Sequence, residues 1–263
     1  MRPAPLLAAA FALLFAASGR ADGKSADEIL DCVQRNLPAT TARQEVEFRS
    51  QDRVGGGRTI QSRVHWRRFP DGLSRVLVRV LDPAELKGSG VLLIEKGKRA
   101  DMFVYLPDLK KVRRVTSRML SGSLFGSDFT YEDFSQLQGM AVEGRVERLD
   151  DTSLDGVPVQ VVAHFPADGS GSAYEQVKTY VNPENCVPLR SEMFESGGRL
   201  RKVMTADPGS LYEADGVRIA QKLTMEDLRD ESRTELVVLE IEVGGEIPKK
   251  TFSVTTLERP RVN

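Results

Sequence analysis

Apolar and polar residues alternate with a period of two along most of this chain, the pattern of strands that bury one face. Val46 and Phe48 alternate with charges, and Val76, Val78 and Val80 alternate with Arg75, Leu77 and Arg79. Glu95-Lys96-Gly97-Lys98 separates Val91-Leu92-Leu93-Ile94 from Met102-Phe103-Val104-Tyr105, which predicts a hairpin. Val157, Val159, Val161, Ala163 and Phe165 make a further row. Tyr174 to Val181 follows, closed by Asn182-Pro183-Glu184-Asn185, and Gly197-Gly198 links Met193-Phe194 to Leu200 through Met204. Val217, Ile219, Gln221, Leu223 and Met225 form one row, and Val237, Leu239, Ile241 and Val243 another. Together they predict roughly eleven strands in one antiparallel sheet with one buried face. A sheet of that width normally curls on itself.

The period changes in two places. Ser25-Ala26-Asp27-Glu28 is a capping box, and Ile29, Leu30, Val33 and Leu37 then recur at helical spacing until Pro38. A shorter helix is predicted over Tyr131 to Gln138, capped by Thr130 with Asp133 at N3 and stopped by Gly139. Residues 1–21 read as a secretory signal peptide: Arg2, then an apolar run from Leu6 to Ala17, then Gly19-Arg20-Ala21 or Ala17-Ser18-Gly19 for cleavage. No linker, repeat or low-complexity tract divides residues 22–263, which are expected to form one soluble, exported domain. No cysteine lies near the cleavage site to carry a lipid, so no permanent membrane anchor is expected.

Charge adds little. Lys and Arg number 37 against 38 Asp and Glu; losing Arg2 and Arg20 with the leader leaves 35 against 38, a balance that implies no nucleic-acid partner. The two cysteines, Cys32 and Cys186, meet an oxidising compartment after export. A single disulfide is the economical expectation; two buried free thiols are the alternative.

Catalytic and metal chemistry find little footing. His65 and His164 are the only histidines and are far apart, and no zinc-ligand spacing surrounds them. No Gly-x-Ser-x-Gly elbow or phosphate-cradling loop occurs, and Asp150-Asp151 with Asp155-Gly156 lacks the spacing of a calcium loop. Neither a cofactor nor a metal is expected, and the chain is not read as an enzyme.

The most distinctive stretch runs from Arg99 to Phe134. A Pro107-Asp108 turn precedes the basic cluster Lys110-Lys111-Val112-Arg113-Arg114, in which Arg113 and Arg114 are candidates for contact with a head group or an acidic partner. A Gly/Ser-punctuated segment then carries Met119, Leu120, Leu124, Phe125 and Phe129. Loops normally lie on the wet surface, so these side chains must cover something apolar, either the core or a ligand. They are candidate lipid contacts, together with the aromatic set Trp66, Phe69, Phe103 and Tyr105.

With Asp82-Pro83, Leu86-Lys87-Gly88-Ser89-Gly90, Tyr105-Leu106-Pro107, Arg113-Arg114 and Phe125-Gly126-Ser127-Asp128-Phe129 through Glu132-Asp133, the chain resembles the periplasmic outer-membrane lipoprotein-sorting-like proteins, relatives of the LolA and LolB carriers. The resemblance implies a strongly curved antiparallel sheet, an unclosed β-barrel covered by a few helices, whose interior receives acyl chains. It further implies a periplasmic carrier that shuttles a lipid or lipidated cargo towards the outer membrane, partnered by an inner-membrane exporter of the resistance-nodulation-division type. A lipid-responsive sensor or adaptor of the same fold is the alternative, and a periplasmic hydrolase a third.

Overall fold

The alternating rows form strands throughout, and the strands join one open sheet. The structure is a computed structural model describing residues 23–97, 99–140 and 143–259; the expected leader lies outside the described residues. In chain order the strands are β1 (Thr41–Gln51), β2 (Gly57–Arg68), β3 (Ser74–Asp82), β4 (Gly90–Glu95), β5 (Ala100–Leu106), β6 (Lys111–Arg114), β7 (Gly144–Leu154) and β8 (Val157–Pro166). There follow β9 (Gln176–Val181), β10 (Pro188–Glu195), β11 (Arg199–Ala206), β12 (Leu211–Ala214), β13 (Val217–Ala220), β14 (Lys222–Asp227) and β15 (Ser232–Val243). The helices are α1 (Ala26–Arg35), α2 (Tyr131–Leu137) and α3 (Val254–Glu258).

Thirteen strands pair in the order β6-β5-β4-β3-β2-β1-β15-β14-β11-β10-β9-β8-β7, all antiparallel, while β12 and β13 form a separate hairpin. The sheet stays unclosed, with β6 and β7 as its two edges. It curls strongly. Met102 on β5 and Val177 on β9 belong to one core cluster, although the nine steps between their strands span roughly 43 Å in a flat sheet.

Its inner face carries Val46 and Phe48, Ile60 and Val64, Val76, Val78 and Val80, and Met225 with Leu236, all buried. Both predicted capping boxes are present: the Ser25 side chain accepts from the Glu28 amide, and the Thr130 side chain from the Asp133 amide. Helix α1 covers the β8–β9 end, where Ile29 packs on Val162 and Val181. There Cys32 and Cys186 are joined as a disulfide with Cα atoms 5.7 Å apart.

The expectation of one buried face fails over β3–β5. Leu77, Leu92 and Tyr105 point to the outer face and are buried beneath Ile247, Phe252 and Leu257 of the C-terminal segment. Arg79, also buried, fastens that segment: it donates to the Gly88 carbonyl at 2.8 Å and to the Leu257 and Thr256 carbonyls at 3.1 Å. A cation at the carbonyl end of α3 is where a helix favours one.

Candidate functional site

After β6 the chain leaves the sheet edge and crosses the inner face before entering α2. Apolar residues send this segment inward, and its own hydrogen bonds make that affordable. The Leu124 amide donates to the Phe129 carbonyl at 2.8 Å, the Ser127 hydroxyl to the Leu124 carbonyl at 2.8 Å, and the Ser123 hydroxyl to the Ser127 carbonyl at 2.6 Å. The serines thus pair backbone groups that burial would otherwise strand. Leu124 and Phe129 are fully buried, and Phe125 nearly so. Phe129 meets Phe48 edge to face, with ring centroids 5.9 Å apart. Phe125 holds φ at 54°, left-handed backbone that disfavours a bulky residue, and Gly126 follows at 85°. Helix α2 adds Phe134, and Met140 just beyond its end is also buried. We call residues 115–140 the plug.

Strand pairing barely holds the plug: beyond β6 its bridge is the isolated pair Ser123 and Thr130, which lies within the plug itself. A buried polar clamp holds it instead. Asp133 accepts from the Thr130 amide at 2.8 Å and from the Tyr174 hydroxyl at 2.9 Å, and lies 3.6 Å from Lys202 Nζ. Lys202 also donates to the Asp128 carbonyl and lies 4.0 Å from Asp227, which pairs with Arg201 at 2.6 Å. The Asp128 carboxylate accepts from the Ser232 hydroxyl at 2.5 Å and the Thr234 hydroxyl at 2.6 Å. Glu132, wholly buried, accepts from the Ser172 hydroxyl at 2.6 Å and the Ala173 amide at 3.2 Å. Burial raises the Glu132 pKa against those two hydrogen bonds. Burial and the adjacent Asp133 also raise that of Tyr174, keeping its hydroxyl a donor. Close packing completes the seat: a Cβ on Gly171 would lie 2.4 Å from Ser117, and one on Gly139 2.3 Å from Leu37.

The sequence-predicted contacts divide between two faces. Trp66, Leu124, Phe125 and Phe129 join the inner core, with Leu120 packed against it. Met119 is 37% exposed and stays outside. Phe69, Phe103 and Tyr105 lie on the outer face beneath the C-terminal segment, because residues one apart on a strand face opposite ways. Those three are not brought together with the plug. The same parity separates Arg113, opposite Val104, from Arg114, opposite Phe103 and ion-paired with Asp101. Sequence reasoning missed Lys202, Asp227 and Tyr174. A signal existed for two of them: Lys202 shares parity with Met204, and Asp227 with Met225 and Leu223. A groove of about 570 Å³ beside the clamp is lined largely by charged residues, among them Asp52, Arg53, Glu226, Asp227, Glu231 and Arg233, and does not suit an acyl chain. Among the described residues no helix is long and apolar enough to cross a membrane.

The open, curled antiparallel sheet is a LolA-like fold. Three solved structures are similar to it. A domain described as an outer membrane lipoprotein-sorting protein, from Vibrio parahaemolyticus, is 24% identical with a TM-score of 0.78, covering 89% of this chain and all of its own. A DUF1329 family protein from Desulfovibrio piger is 20% identical, TM-score 0.79, covering 89% of this chain and all of its own. A LolA superfamily protein from Nitrosomonas europaea is 21% identical, TM-score 0.68, covering 88% of this chain and 98% of its own. No curated protein matches the sequence. A family model with the description "-like: Uncharacterized protein" matches residues 72–259, and the chain belongs to that family.

Proposed function

We propose that this chain is a periplasmic carrier that takes an acyl chain of a lipid or lipidated cargo onto the inner face of its sheet, where the plug now lies. On this reading residues 1–21 are removed on export, and residues 22–263 act as one domain that shuttles cargo towards the outer membrane. The donor is an inner-membrane exporter of the resistance-nodulation-division type, and Arg113 and Arg114 meet head groups or an acidic partner face. Transport needs binding, release and no covalent chemistry, so no catalytic role is assigned.

The observation that carries the reading is the plug: apolar side chains seated on an apolar sheet by a separate polar clamp rather than by strand pairing.

Native mass spectrometry with lipid extraction, on protein prepared from periplasm without detergent, tests this. A discrete added mass that resolves to a lipid supports the carrier; a clean apo mass from gentle preparations counts against it.

A further inference from the structure

We infer that the inner face recognises an acyl carbonyl, the ester or amide through which a fatty chain is attached. The inference rests on the carrier reading and narrows its cargo. Strand β2 presents Ile60, Ser62, Val64 and Trp66 to the inner face, and all four are buried. Within that apolar row two polar atoms, Ser62 Oγ and Trp66 Nε1, find no hydrogen-bond partner among the described residues. Trp66 is 3% exposed and Ser62 1%, so bulk solvent does not reach them. Buried polar groups are nearly always paired, so two orphans along one strand face call for a partner that arrives with the ligand.

The chemistry of that partner follows from the donor. An indole N–H only donates, so its complement is an acceptor. The acceptor common to acylated lipids and N-acylated polypeptides is the carbonyl at the head of the chain. A carboxylate fits worse, because a buried anion needs a cation free to pair with it. The nearby guanidinium, Arg68, lies over the face of the Trp66 ring, 5.2 Å from its centroid, and donates to the Gly72 carbonyl at 3.0 Å. Ser62, four residues along the strand and roughly 13 Å away, both donates and accepts, and suits a second polar group on the cargo.

The chain contains one tryptophan, so its fluorescence reports on Trp66 alone. The full-length mature protein is titrated with palmitoyl lysophosphatidylcholine, its hexadecyl ether analogue without the carbonyl, an N-palmitoyl peptide, and palmitic acid. The inference expects the ester or the amide to bind about fivefold tighter than the ether, the share of one neutral hydrogen bond. It also expects carbonyl ligands to shift Trp66 emission to longer wavelength. Preference for ester marks a glycerolipid source, and preference for amide an N-acylated one. Trp66→Phe, which has no tryptophan and is therefore read by isothermal titration calorimetry, lowers ester and amide affinity to that of the ether, and Ser62→Ala retains the preference. Equal binding of ester, amide and ether with unshifted emission overturns the carbonyl site but leaves the carrier standing. Tightest binding of palmitic acid overturns it in favour of a carboxylate. Failure of every ligand to bind removes the carrier reading and this inference together.

Discussion

Replacing Lys202 with methionine should release the plug without unfolding the sheet. Lys202 is buried and faces Asp133 at 3.6 Å, Asp227 at 4.0 Å and the Asp128 carbonyl. Removing one partner of a buried ion pair costs about 3–5 kcal/mol, since the other charge stays behind in a poorly solvated place. The low end applies here. Asp227 keeps Arg201 at 2.6 Å, and Asp133 keeps the Tyr174 hydroxyl and the Thr130 amide. A loss of about 3 kcal/mol falls on the contact between α2 and β11, and corresponds to a rise of roughly a hundredfold in the open population of the plug. Hydrogen exchange read peptide by peptide measures this. Amides of 115–140 should exchange about a hundredfold faster in Lys202→Met, while those of β1 and β2, deep in the ladder, change little. Adding Asp133→Asn should restore part of the protection, because the stranded carboxylate is then gone. Uniform acceleration across the chain, or none in the plug, would refute the idea that the clamp holds a separable segment.

Three further outcomes are expected. Burial first, and then Arg43, Arg63 and Arg79, push the His65 pKa down to about 4, against about 6.5 in an unfolded chain. The folded state therefore holds His65 neutral, and its contribution is complete above pH 6.5 and lost as pH falls from 6.5 to about 4. His65→Gln should flatten that part of a urea-denaturation series against pH; an unchanged acid limb would contradict it. Cys32→Ala with Cys186→Ala opens a loop set by a sequence separation of 154, and the chain-entropy model puts the loss at about 5 kcal/mol as an upper figure. Denaturant titration reads the loss, and equal stability of oxidised wild type and double variant would show that the bridge contributes nothing. Replacing Arg113 and Arg114 with serine should weaken association with anionic vesicles at low salt and converge with wild type at high salt; indifference at every salt concentration would reduce the pair to a solvated edge.

Local signals were the legible ones. Capping boxes at Ser25 and Thr130 depend on residues three apart, and both helices start where those boxes place them. The hairpin that pairs β4 with β5 is likewise local, with Met102 opposite Leu93. Parity failed where a bulge intervened. Val237 and Leu239 look like a row with Ile241 and Val243, yet β15 buries Leu236 and Val238 and leaves Leu239 half exposed. The register against β1 slips between Glu45 and Val46, skipping Leu239, so the inner row moves from even to odd positions. The edge strand β7 escaped notice because it has no buried face to impose alternation. The aromatic set was assembled from neighbouring strands without knowing which face each residue took, and so it mixed Trp66 with Phe69, Phe103 and Tyr105. The clamp is the least legible feature. Lys202, Asp133 and Tyr174 are distant in sequence, and only the curl of the sheet brings them together.

The central claim is that an acyl chain takes the place of the plug on the inner face of the sheet. A lysophospholipid with a diazirine near the end of its acyl chain, bound to the protein and photolysed, tests that most directly by mapping labelled residues with mass spectrometry. The account predicts labels on inner-face residues such as Val46, Val64 and Val78, with competition by unlabelled lipid. Labels confined to the outer face around Leu77, Leu92 and Phe103, or scattered over the exposed surface without competition, would contradict it.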